Sequence, residues 1–227
     1  MRLDDLQFNG LRLLQDPEAF CFGIDAVELA NFVPPCSGLK PRRACDLGSG
    51  NGIVSVLLAA KKHYDVTAVE IQAAAAELCH QNAELNGLSN QITTVCAAMQ
   101  DFAREPINRA AFDITVCNPP YEPKSIGQPS ENESVRIARF EECVTLGEVI
   151  ECAATLTKFG GKFYTVHKTS RLSEVLSLCT QSRLEPKILQ ILRPAQTKPP
   201  HLFLLSCIKN GKPGLRLLPE RTVGKYI

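Results

Sequence analysis

A turn-prone tetrad, Asn118-Pro119-Pro120-Tyr121, directly follows an apolar run at residues 112–117. The Asn118 side-chain oxygen and the Pro119 carbonyl can accept hydrogen bonds from the same amino group. Pro120 fixes φ and stiffens the loop, and Tyr121 offers a flat face for a planar base or amide. Acceptors that hold both N–H bonds of an amine would point its lone pair at an electrophile. The alternative interpretation is an ordinary turn after a strand.

A glycine-rich stretch, D-L-G-S-G-N-G, occupies residues 46–52. Gly48 and Gly50 let backbone approach a ligand where a Cβ would obstruct it. Asp46 would repel a pyrophosphate but attract a ligand that carries an ammonium and a sulfonium, and Glu70 is spaced to bind ribose hydroxyls. These acids favour S-adenosylmethionine as cofactor over a nicotinamide dinucleotide or a purely structural turn. The expected cofactor site is completed by Asn51, Ile71 and Asn118.

Strand and helix patterns alternate around both motifs. Strands are predicted at residues 44–47, 66–69, 92–96, 114–117, 162–166, 187–192 and 202–208. Helices are predicted at residues 53–62, 73–85, 137–157 and 170–181, with Gly160-Gly161 ending the third. The alternation predicts an α/β fold with a doubly wound, mostly parallel, seven-stranded, Rossmann-like sheet. Both motifs follow strands, so they should share the crevice at the carboxyl ends of the central strands.

Composition narrows the class of protein. The longest apolar stretches are far shorter than the ~20 residues that a membrane span needs, and the N-terminus lacks the apolar core of a signal peptide. We therefore expect a cytoplasmic protein without membrane contact. The 10 cysteines and 4 histidines show neither C-x-x-C nor metal-ligand spacing. Reduced thiols and no metal are expected, with four cysteines buried in strands: Cys45, Cys96, Cys117 and Cys207.

Charge is distributed unevenly along the chain. Residues 1–157 carry 12 Lys+Arg and 21 Asp+Glu, whereas residues 158–227 carry 13 Lys+Arg and 3 Asp+Glu. A basic C-terminal part favours contact with a polyanion such as nucleic acid, and a basic surface kept for solubility is the alternative.

The glycine stretch, Glu70 and N-P-P-Y together resemble class I, S-adenosylmethionine-dependent amino-methyltransferases. Three flanking segments, at residues 20–33, 137–141 and 198–219, are similar to bacterial tRNA adenine-N6 methyltransferases, in particular a Gram-positive branch. The resemblance covers nearly the whole chain. It implies direct methyl transfer to the N6 amine of an adenine next to the anticodon of a valine tRNA. Short apolar runs between the turn signals Asn9-Gly10 and Asp16-Pro17 predict a hairpin over residues 3–22, and a short helix is predicted over residues 25–32. We therefore expect a hairpin and helix extension at residues 1–40 and a methyltransferase domain at residues 41–227.

The resemblance also implies roles for individual residues. The methionine end of the cofactor would be lined by Asp46, Gly48 and Gly50, and the ribose would contact Glu70. The target amine would be held by Asn118, Pro119 and Tyr121. The cofactor pocket would be capped by Phe22, Gly23 and Asp25. Such enzymes often place an acid after the third strand for the cofactor adenine, where this chain has Ala98; Asp101 or backbone groups are the expected substitutes.

The expected partner is tRNA, bound by a protein that we expect to be a monomer, with a dimer as the alternative. Candidate phosphate contacts are Lys124, Arg136, Arg139, Lys198 and the segment 209–212. Protein glutamine methylation of release factors is a rival function, although that family has a longer helical domain before the cofactor loop. Guanine methylation of rRNA is another, although its tetrad usually ends in Phe. A catalytically idle binding scaffold is the third.

Overall fold

Strands and helices alternate from residue 42 onward. The computed structural model describes residues 1–18, 21–38, 41–121, 143–194 and 197–224. Its strands are β1 (Arg2–Asp5), β2 (Arg12–Gln15), β3 (Arg42–Leu47), β4 (Tyr64–Glu70), β5 (Ile92–Cys96), β6 (Phe112–Cys117), β7 (Thr157–Lys168), β8 (Leu184–Arg193), β9 (Leu202–Lys209), β10 (Arg216–Leu217) and β11 (Arg221–Thr222). Its α-helices are α1 (Ile24–Phe32), α2 (Ile53–Lys62), α3 (Ala73–Leu85), α4 (Met99–Arg104), α5 (Leu146–Leu156) and α6 (Leu172–Gln181). The two 3-10 turns are Pro106–Asn108 and Thr169–Arg171.

Strands β3 to β9 form one sheet together with the two-residue edge strands β10 and β11. The order in the described residues is β10-β8-β9-β7-β6-β3-β4-β5, with β11 also beside β8. There, β9 is antiparallel to β7 and β8, and the other pairs are parallel. The predicted doubly wound, mostly parallel fold is confirmed, and β10 and β11 are additions at its edge. Strand order reverses between β3 and β6, which opens a crevice at their carboxyl ends.

Each face of this sheet is covered by helices. Ala44 packs in a cluster with α1, α2 and α3, whereas its neighbour Cys45 packs in a second cluster with α4, α5 and α6. The alternation of inward and outward side chains along a strand divides the apolar residues in this way. Two buried layers therefore hold the sheet, and its carboxyl edge remains free for a site.

The hairpin β1–β2 is attached to α3 by two asparagine amides. Asn82 accepts from the Leu14 N–H (2.7 Å) and donates to the Leu14 carbonyl (3.0 Å). Asn86 bonds both backbone groups of Arg12 in the same way, at 3.0 and 2.8 Å. Asn82 and Asn86 are four apart and share a face of α3, and Arg12 and Leu14 are two apart and share an edge of β2. The two amides therefore bond the backbone of β2 as a neighbouring strand would. The hairpin is thus fixed beside the glycine loop, and the domain boundary at residue 40 stays a prediction.

The prediction for the region of α5 needs correction. Of the helix predicted over residues 137–157, residues 137–142 lie outside the described residues. The described helix begins at Leu146, after a capping box in which Thr145 and Glu148 each bond the other's backbone. It ends at Leu156, and β7 begins at the next residue instead of after the glycines. Gly160 has φ +73°, and a Cβ on Gly161 would lie 2.8 Å from a backbone oxygen of β6. The glycines therefore shape an irregular strand and do not end the helix.

The cysteines follow the prediction with one exception. All 10 are free thiols, and Cys45, Cys117 and Cys207 are buried as expected. Cys96 is exposed, because it ends β5 at the sheet edge. None of the helices among the described residues has the length and apolar character to cross a bilayer.

Candidate cofactor and amine site

A cavity opens at the crevice between β3 and β6. It is lined by residues at and just beyond the carboxyl ends of three strands, namely 46–51 for β3, 70–72 for β4 and 117–120 for β6. Asp16 and Phe22 contribute from the N-terminal side, and Met99 from α4. The structure thus brings most predicted site residues to one cavity, namely Phe22, Asp46, Gly48, Gly50, Asn51, Glu70, Ile71, Asn118, Pro119 and Pro120.

The glycine loop adopts backbone conformations that favour glycine. Gly48, Gly50 and Gly52 have φ of +70°, +54° and +85°. A Cβ on Gly50 would meet no atom within 4 Å, so this position borders open space, whereas one on Gly52 would lie 2.6 Å from Cys79 Sγ. The Gly48 and Ser49 N–H groups donate to the Val69 carbonyl, which fixes the loop on β4. The loop therefore presents bare backbone to the cavity.

Asp46, the last residue but one of β3, is a carboxylate almost removed from water, at 1% exposure. The Ser55 hydroxyl donates to Asp46 Oδ2 at 2.7 Å. Burial raises the pKa of Asp46 to about 7, opposed by the Ser55 hydrogen bond and reinforced by the nearby Glu70 carboxylate. A buried acid of this kind ionises more readily beside a positive charge. The floor of the cavity is therefore suited to a cationic ligand group.

Glu70 ends β4 and has spare acceptor capacity. Its two oxygens accept one backbone N–H each, from Gly50 and Gln72, both at 2.9 Å. Burial raises the pKa of Glu70, and the backbone N–H bonds oppose that shift. A carboxylate offers about four lone-pair directions, so it can accept from ligand hydroxyls as well.

Ser49 provides a buried polar atom that lacks a partner. Its Oγ makes no hydrogen bond to the described residues, although the Cys79 thiol, a weak partner, lies close to it. Because buried hydroxyls are usually satisfied, this atom is a candidate for a contact with bound ligand. Two acids, an open glycine turn and an unpartnered hydroxyl fit the ammonium, sulfonium and ribose groups of S-adenosylmethionine.

The N-P-P segment reaches the same cavity because of the strand register. Leu47 pairs with Cys117 across the parallel β3–β6 ladder, and the Cys117 thiol donates to the Leu47 carbonyl at 3.0 Å. The next residues of the two strands, Gly48 and Asn118, therefore leave the sheet side by side. Asn118 and the two prolines after it line the cavity.

Tyr121 is partly buried and is not among the residues that line the cavity. Its hydroxyl lies 2.5 Å from Asp25 Oδ2 and 2.7 Å from Asn118 Oδ1. Its ring packs against His167 with the ring centroids 5.2 Å apart. Burial, followed by the charge of Asp25, holds the pKa of Tyr121 well above its usual range. The phenol therefore stays protonated, and its hydroxyl contacts protein groups.

The predicted cap is present in part. Phe22 lines the cavity, whereas Gly23 and Asp25 do not. Gln15 Oε1 accepts from the Phe22 N–H (3.1 Å) and from Asn51 Nδ2 (3.3 Å), which joins this segment to the glycine loop. Asn51 therefore uses its amide to hold the N-terminal segment in place.

The predicted phosphate contacts divide by position. Lys198 is exposed and precedes β9 at its Leu202 end, which pairs with the carboxyl end of β7. Lys209 lies at the other end of β9, about 25 Å from its Leu202 end at ~3.3 Å per residue. Segment 209–212 is thus remote from the cavity. The other three candidates, Lys124, Arg136 and Arg139, lie outside the described residues.

Sequence reasoning missed several residues of the site. Asp101, one expected contact for the cofactor adenine, is exposed and paired with Arg104 at 2.8 Å, whereas Met99 lines the cavity. Asp16 was also missed, because its place beside the loop depends on the Gln15 bridge. The Asp16-Pro17 turn signal marked a turn there but gave no sign of a ligand.

Curated bacterial relatives are similar over most of the chain. A Flavobacterium johnsoniae protein is 28% identical over 156 residues, which cover 68% of this chain and 64% of that protein, just under two thirds. A Bacteroides fragilis protein is 25% identical over 222 residues, 97% of this chain and 91% of that protein. Both are named tRNA1(Val) (adenine(37)-N6)-methyltransferase.

Solved structures share the fold at low identity. A predicted O-methyltransferase from Agrobacterium tumefaciens has a TM-score of 0.67 and 18% identity, covering 87% of this chain and 85% of its own. TYW2 of M. jannaschii, solved with AdoMet, has a TM-score of 0.58 and 13% identity, covering 89% and 84%.

Residues 28–175, more than half of the chain, match a family model described as the methyltransferase small domain. The match includes the glycine loop, Glu70 and the N-P-P-Y tetrad, so the predicted enzyme class, a methyltransferase that uses S-adenosylmethionine, is confirmed. The chain therefore belongs to the methyltransferase small domain family.

Proposed function

We propose that this protein methylates the N6 amine of an adenine in tRNA, next to the anticodon of a valine tRNA. The observation that carries the proposal is that Asn118-Pro119-Pro120 and the glycine loop line one cavity. The names of the bacterial relatives support the choice of substrate. The narrower Gram-positive assignment rests on the flanking sequence segments alone.

The cofactor half of the cavity needs groups for positive charge and for hydroxyls. When bound, S-adenosylmethionine supplies a methyl group made electrophilic by its sulfonium. Asp46 is suited to the positive end of this molecule, and Glu70 to its ribose hydroxyls. Ser49 Oγ, buried without a partner among the described residues, can bond a further polar group. Gly50 leaves open space where any side chain would protrude.

The amine half of the cavity needs acceptors. The Asn118 side-chain oxygen and the Pro119 carbonyl would each accept one N–H of the adenine amine, which directs its lone pair into the cofactor half. The nitrogen can lose its proton to water after it has gained the methyl group, so a tuned general base is unnecessary. Positioning and electrostatic orientation then supply most of the catalysis.

The base and the RNA backbone need further contacts. Tyr121 remains the proposed stacking surface, although one part of its ring packs against His167. Lys198, at the same sheet edge as the cavity, is a proposed phosphate contact, together with Lys124, Arg136 and Arg139. Bases in RNA loops are already accessible for stacking, so a compact enzyme can reach them.

Replacement of Asn118 tests the division of the cavity. Asn118→Ala should leave S-adenosylmethionine affinity near that of the wild type, while methyl transfer falls by about 10²–10³-fold, as when an oriented hydrogen-bonding group is removed. Asn90→Ala, at an exposed asparagine before β5, is the matched control and should change neither. Calorimetry and single-turnover transfer provide the two readouts, and equal losses in both would show that Asn118 has been misplaced.

The substrate is tested by incubating the enzyme with labelled S-adenosylmethionine and, in separate reactions, unmodified tRNA transcripts, unmodified rRNA and a release factor, followed by mass spectrometry of the nucleosides and of the protein. N6-methyladenosine confined to a valine tRNA is the expected product. Labelled release factor with unlabelled tRNA would favour glutamine methylation, and N2-methylguanosine in rRNA would favour the other rival. A catalytically idle scaffold would bind the cofactor and label none of them.

A further inference from the structure

Three polar side chains form a hydrogen-bonded chain that leads from α1 to the cavity. Asp25 is 8% exposed, and its Oδ2 lies 2.5 Å from the Tyr121 hydroxyl. The same hydroxyl lies 2.7 Å from Asn118 Oδ1. Asn118 lines the cavity, whereas Asp25 and Tyr121 do not. The role predicted for Asp25, as part of a cap over the cofactor pocket, does not involve this hydrogen bond with Tyr121.

The phenol has one proton for two neighbouring oxygens. The Tyr121 phenol can donate one hydrogen bond, and the carboxylate oxygens of Asp25 can only accept. The shorter contact is the one to Asp25, as expected of a charge-assisted O–H···O⁻ bond. A contact of 2.7 Å between the phenol oxygen and Asn118 Oδ1 would then join two acceptors without a proton. Turning the Asn118 amide by about 180° exchanges its oxygen and nitrogen in place, and the contact becomes a hydrogen bond.

We propose that Asp25 is a positioning residue, which sets the direction of the Asn118 amide through Tyr121. The Tyr121 hydroxyl donates to Asp25, its oxygen accepts from Asn118 Nδ2, and Asn118 Oδ1 faces the cavity. There it is free to accept from an amine. The inference rests on the proposed function, because an acceptor in that place serves a reaction that methylates an amino group. If the amide pointed the other way, Asn118 would present its NH₂ group to the N–H groups of the target amine.

Asp25 is fixed firmly enough to set this direction. Its second oxygen, Oδ1, accepts from the Ala26 N–H at 2.9 Å. The positive end of α1 favours a negative charge in the first turn of the helix. Gly23 leaves room for the carboxylate, since a Cβ there would lie 2.6 Å from Asp25 Oδ1. The two oxygens of Asp25 thus have separate partners, one on the helix and one on Tyr121.

His167 supports the ring of Tyr121 without adding charge. It is fully buried, and its Nδ1 accepts from the Lys168 N–H at 2.8 Å, so the proton of the neutral ring is on Nε2. Burial lowers the pKa of His167 to about 4. A neutral imidazole packed on the phenol does not compete as a cation for the carboxylate of Asp25.

Asp25→Asn reverses the chain while it keeps the shape. The new amide must accept from the Ala26 N–H with its oxygen, so its NH₂ group faces Tyr121 and donates to it. The phenol then donates to Asn118 Oδ1, and Nδ2 turns to the cavity. Loss of one oriented acceptor should lower kcat about tenfold or more on unmodified valine tRNA, with cofactor affinity within about twofold.

The double variant separates positioning from general damage. Tyr121→Phe removes the relay and leaves Asn118 free to turn, so the expected loss is smaller than in Asp25→Asn. Adding Asp25→Asn to Tyr121→Phe should then cost nothing further in kcat. Tyr64→Phe, which removes another buried hydroxyl at the opposite sheet edge, is the matched control and should retain wild-type kcat. Multiplying losses in the double variant, or unchanged kcat in Asp25→Asn, would overturn the proposal.

A second measurement needs no substrate. The side-chain NH₂ resonances of Asn118, assigned by their disappearance in Asn118→Asp, should shift in Tyr121→Phe and in Asp25→Asn but not in Tyr64→Phe. Chemical shifts that are unchanged in all three variants would show that Nδ2 does not bond the phenol. If the wild type methylates no tRNA, the proposed function fails, while this spectrum still decides the direction of the amide.

Discussion

Asp46 should make cofactor binding depend on pH near neutrality. Its carboxyl group is 1% exposed and has a pKa of about 7, so about half of the molecules carry a proton there at pH 7. A ligand with an ammonium and a sulfonium favours the ionised form, and binding must therefore displace the proton. Affinity for S-adenosylmethionine should rise with pH until Asp46 is fully ionised.

The size of the effect follows from the fraction ionised. With a pKa of about 7, roughly one tenth of the Asp46 side chains are ionised at pH 6 and nine tenths at pH 8. Affinity should therefore fall about tenfold, or ~1.4 kcal/mol, between pH 8 and pH 6. Removal of the Ser55 hydrogen bond raises the pKa further, so Ser55→Ala should move the transition to higher pH. Asp46→Asn should bind weakly at every pH and show no such transition.

Isothermal titration calorimetry from pH 6 to pH 8, in buffers of different ionisation enthalpy, measures both affinity and protons released. Close to one proton should be released per bound cofactor at pH 6 and almost none at pH 8. A flat affinity in the wild type, or the same slope in Asp46→Asn, would refute the assignment of the effect to this carboxyl group.

Unfolding of the cofactor-free protein offers an independent check on Asp46. A carboxyl whose folded pKa is raised holds its proton more tightly in the folded state, so its contribution is most favourable at low pH. That contribution is lost as pH rises from the ordinary value of 3.8 to about 7, and the loss amounts to about 4 kcal/mol. Asp46→Asn should consequently be the more stable protein at pH 8, although it binds the cofactor less well.

Two further substitutions test the loop and its support. Gly50→Ala should fold but lose cofactor affinity, because its Cβ would protrude into open cavity, whereas Gly52→Ala should lower the melting temperature, because its Cβ would lie 2.6 Å from Cys79 Sγ; thermal melts with and without the cofactor separate the two, and equal melting temperatures would contradict this. Asn82→Ala removes both bonds to Leu14, so proteolysis should cut the hairpin faster and cofactor affinity should fall several-fold, while unaltered cleavage would show that the amide ladder is dispensable.

The sheet and the cofactor half of the site could be predicted because they depend on local patterns. Ala44 and Cys45 face opposite sides of β3 because side chains alternate along a strand. The glycines after β3 indicate a tight turn, because glycine adopts backbone conformations that other residues rarely adopt. Parallel strands place their carboxyl ends at one edge, so Asp46, Glu70 and Asn118 had to be neighbours once the strands were known. No long-range contact had to be guessed for these residues.

The N-terminal contacts could not be predicted, because they join residues that are remote in sequence. Asn82 bonds the backbone of Leu14, and backbone groups carry no signature of their partner in the sequence. Tyr121 likewise meets Asp25 across 96 positions. From the sequence alone, Asn82 could be a solvent-exposed amide on a helix and Asp25 a helix cap. Only the fold shows that they bond residues remote in sequence.

The N-terminal segment links the two halves of the cavity. Gln15 holds the glycine loop through Asn51, and Phe22 lines the cavity above it. Ten residues after Gln15, Asp25 holds the phenol that contacts Asn118 on the amine side. Both attachments therefore belong to one short stretch of sequence, and Gly23 allows the chain to enter α1 without meeting the Asp25 carboxylate. A displacement of the hairpin would therefore disturb the cofactor loop and Asn118 together. Correct binding of the methyl donor is thus coupled to correct orientation of the side chain that holds the target amine.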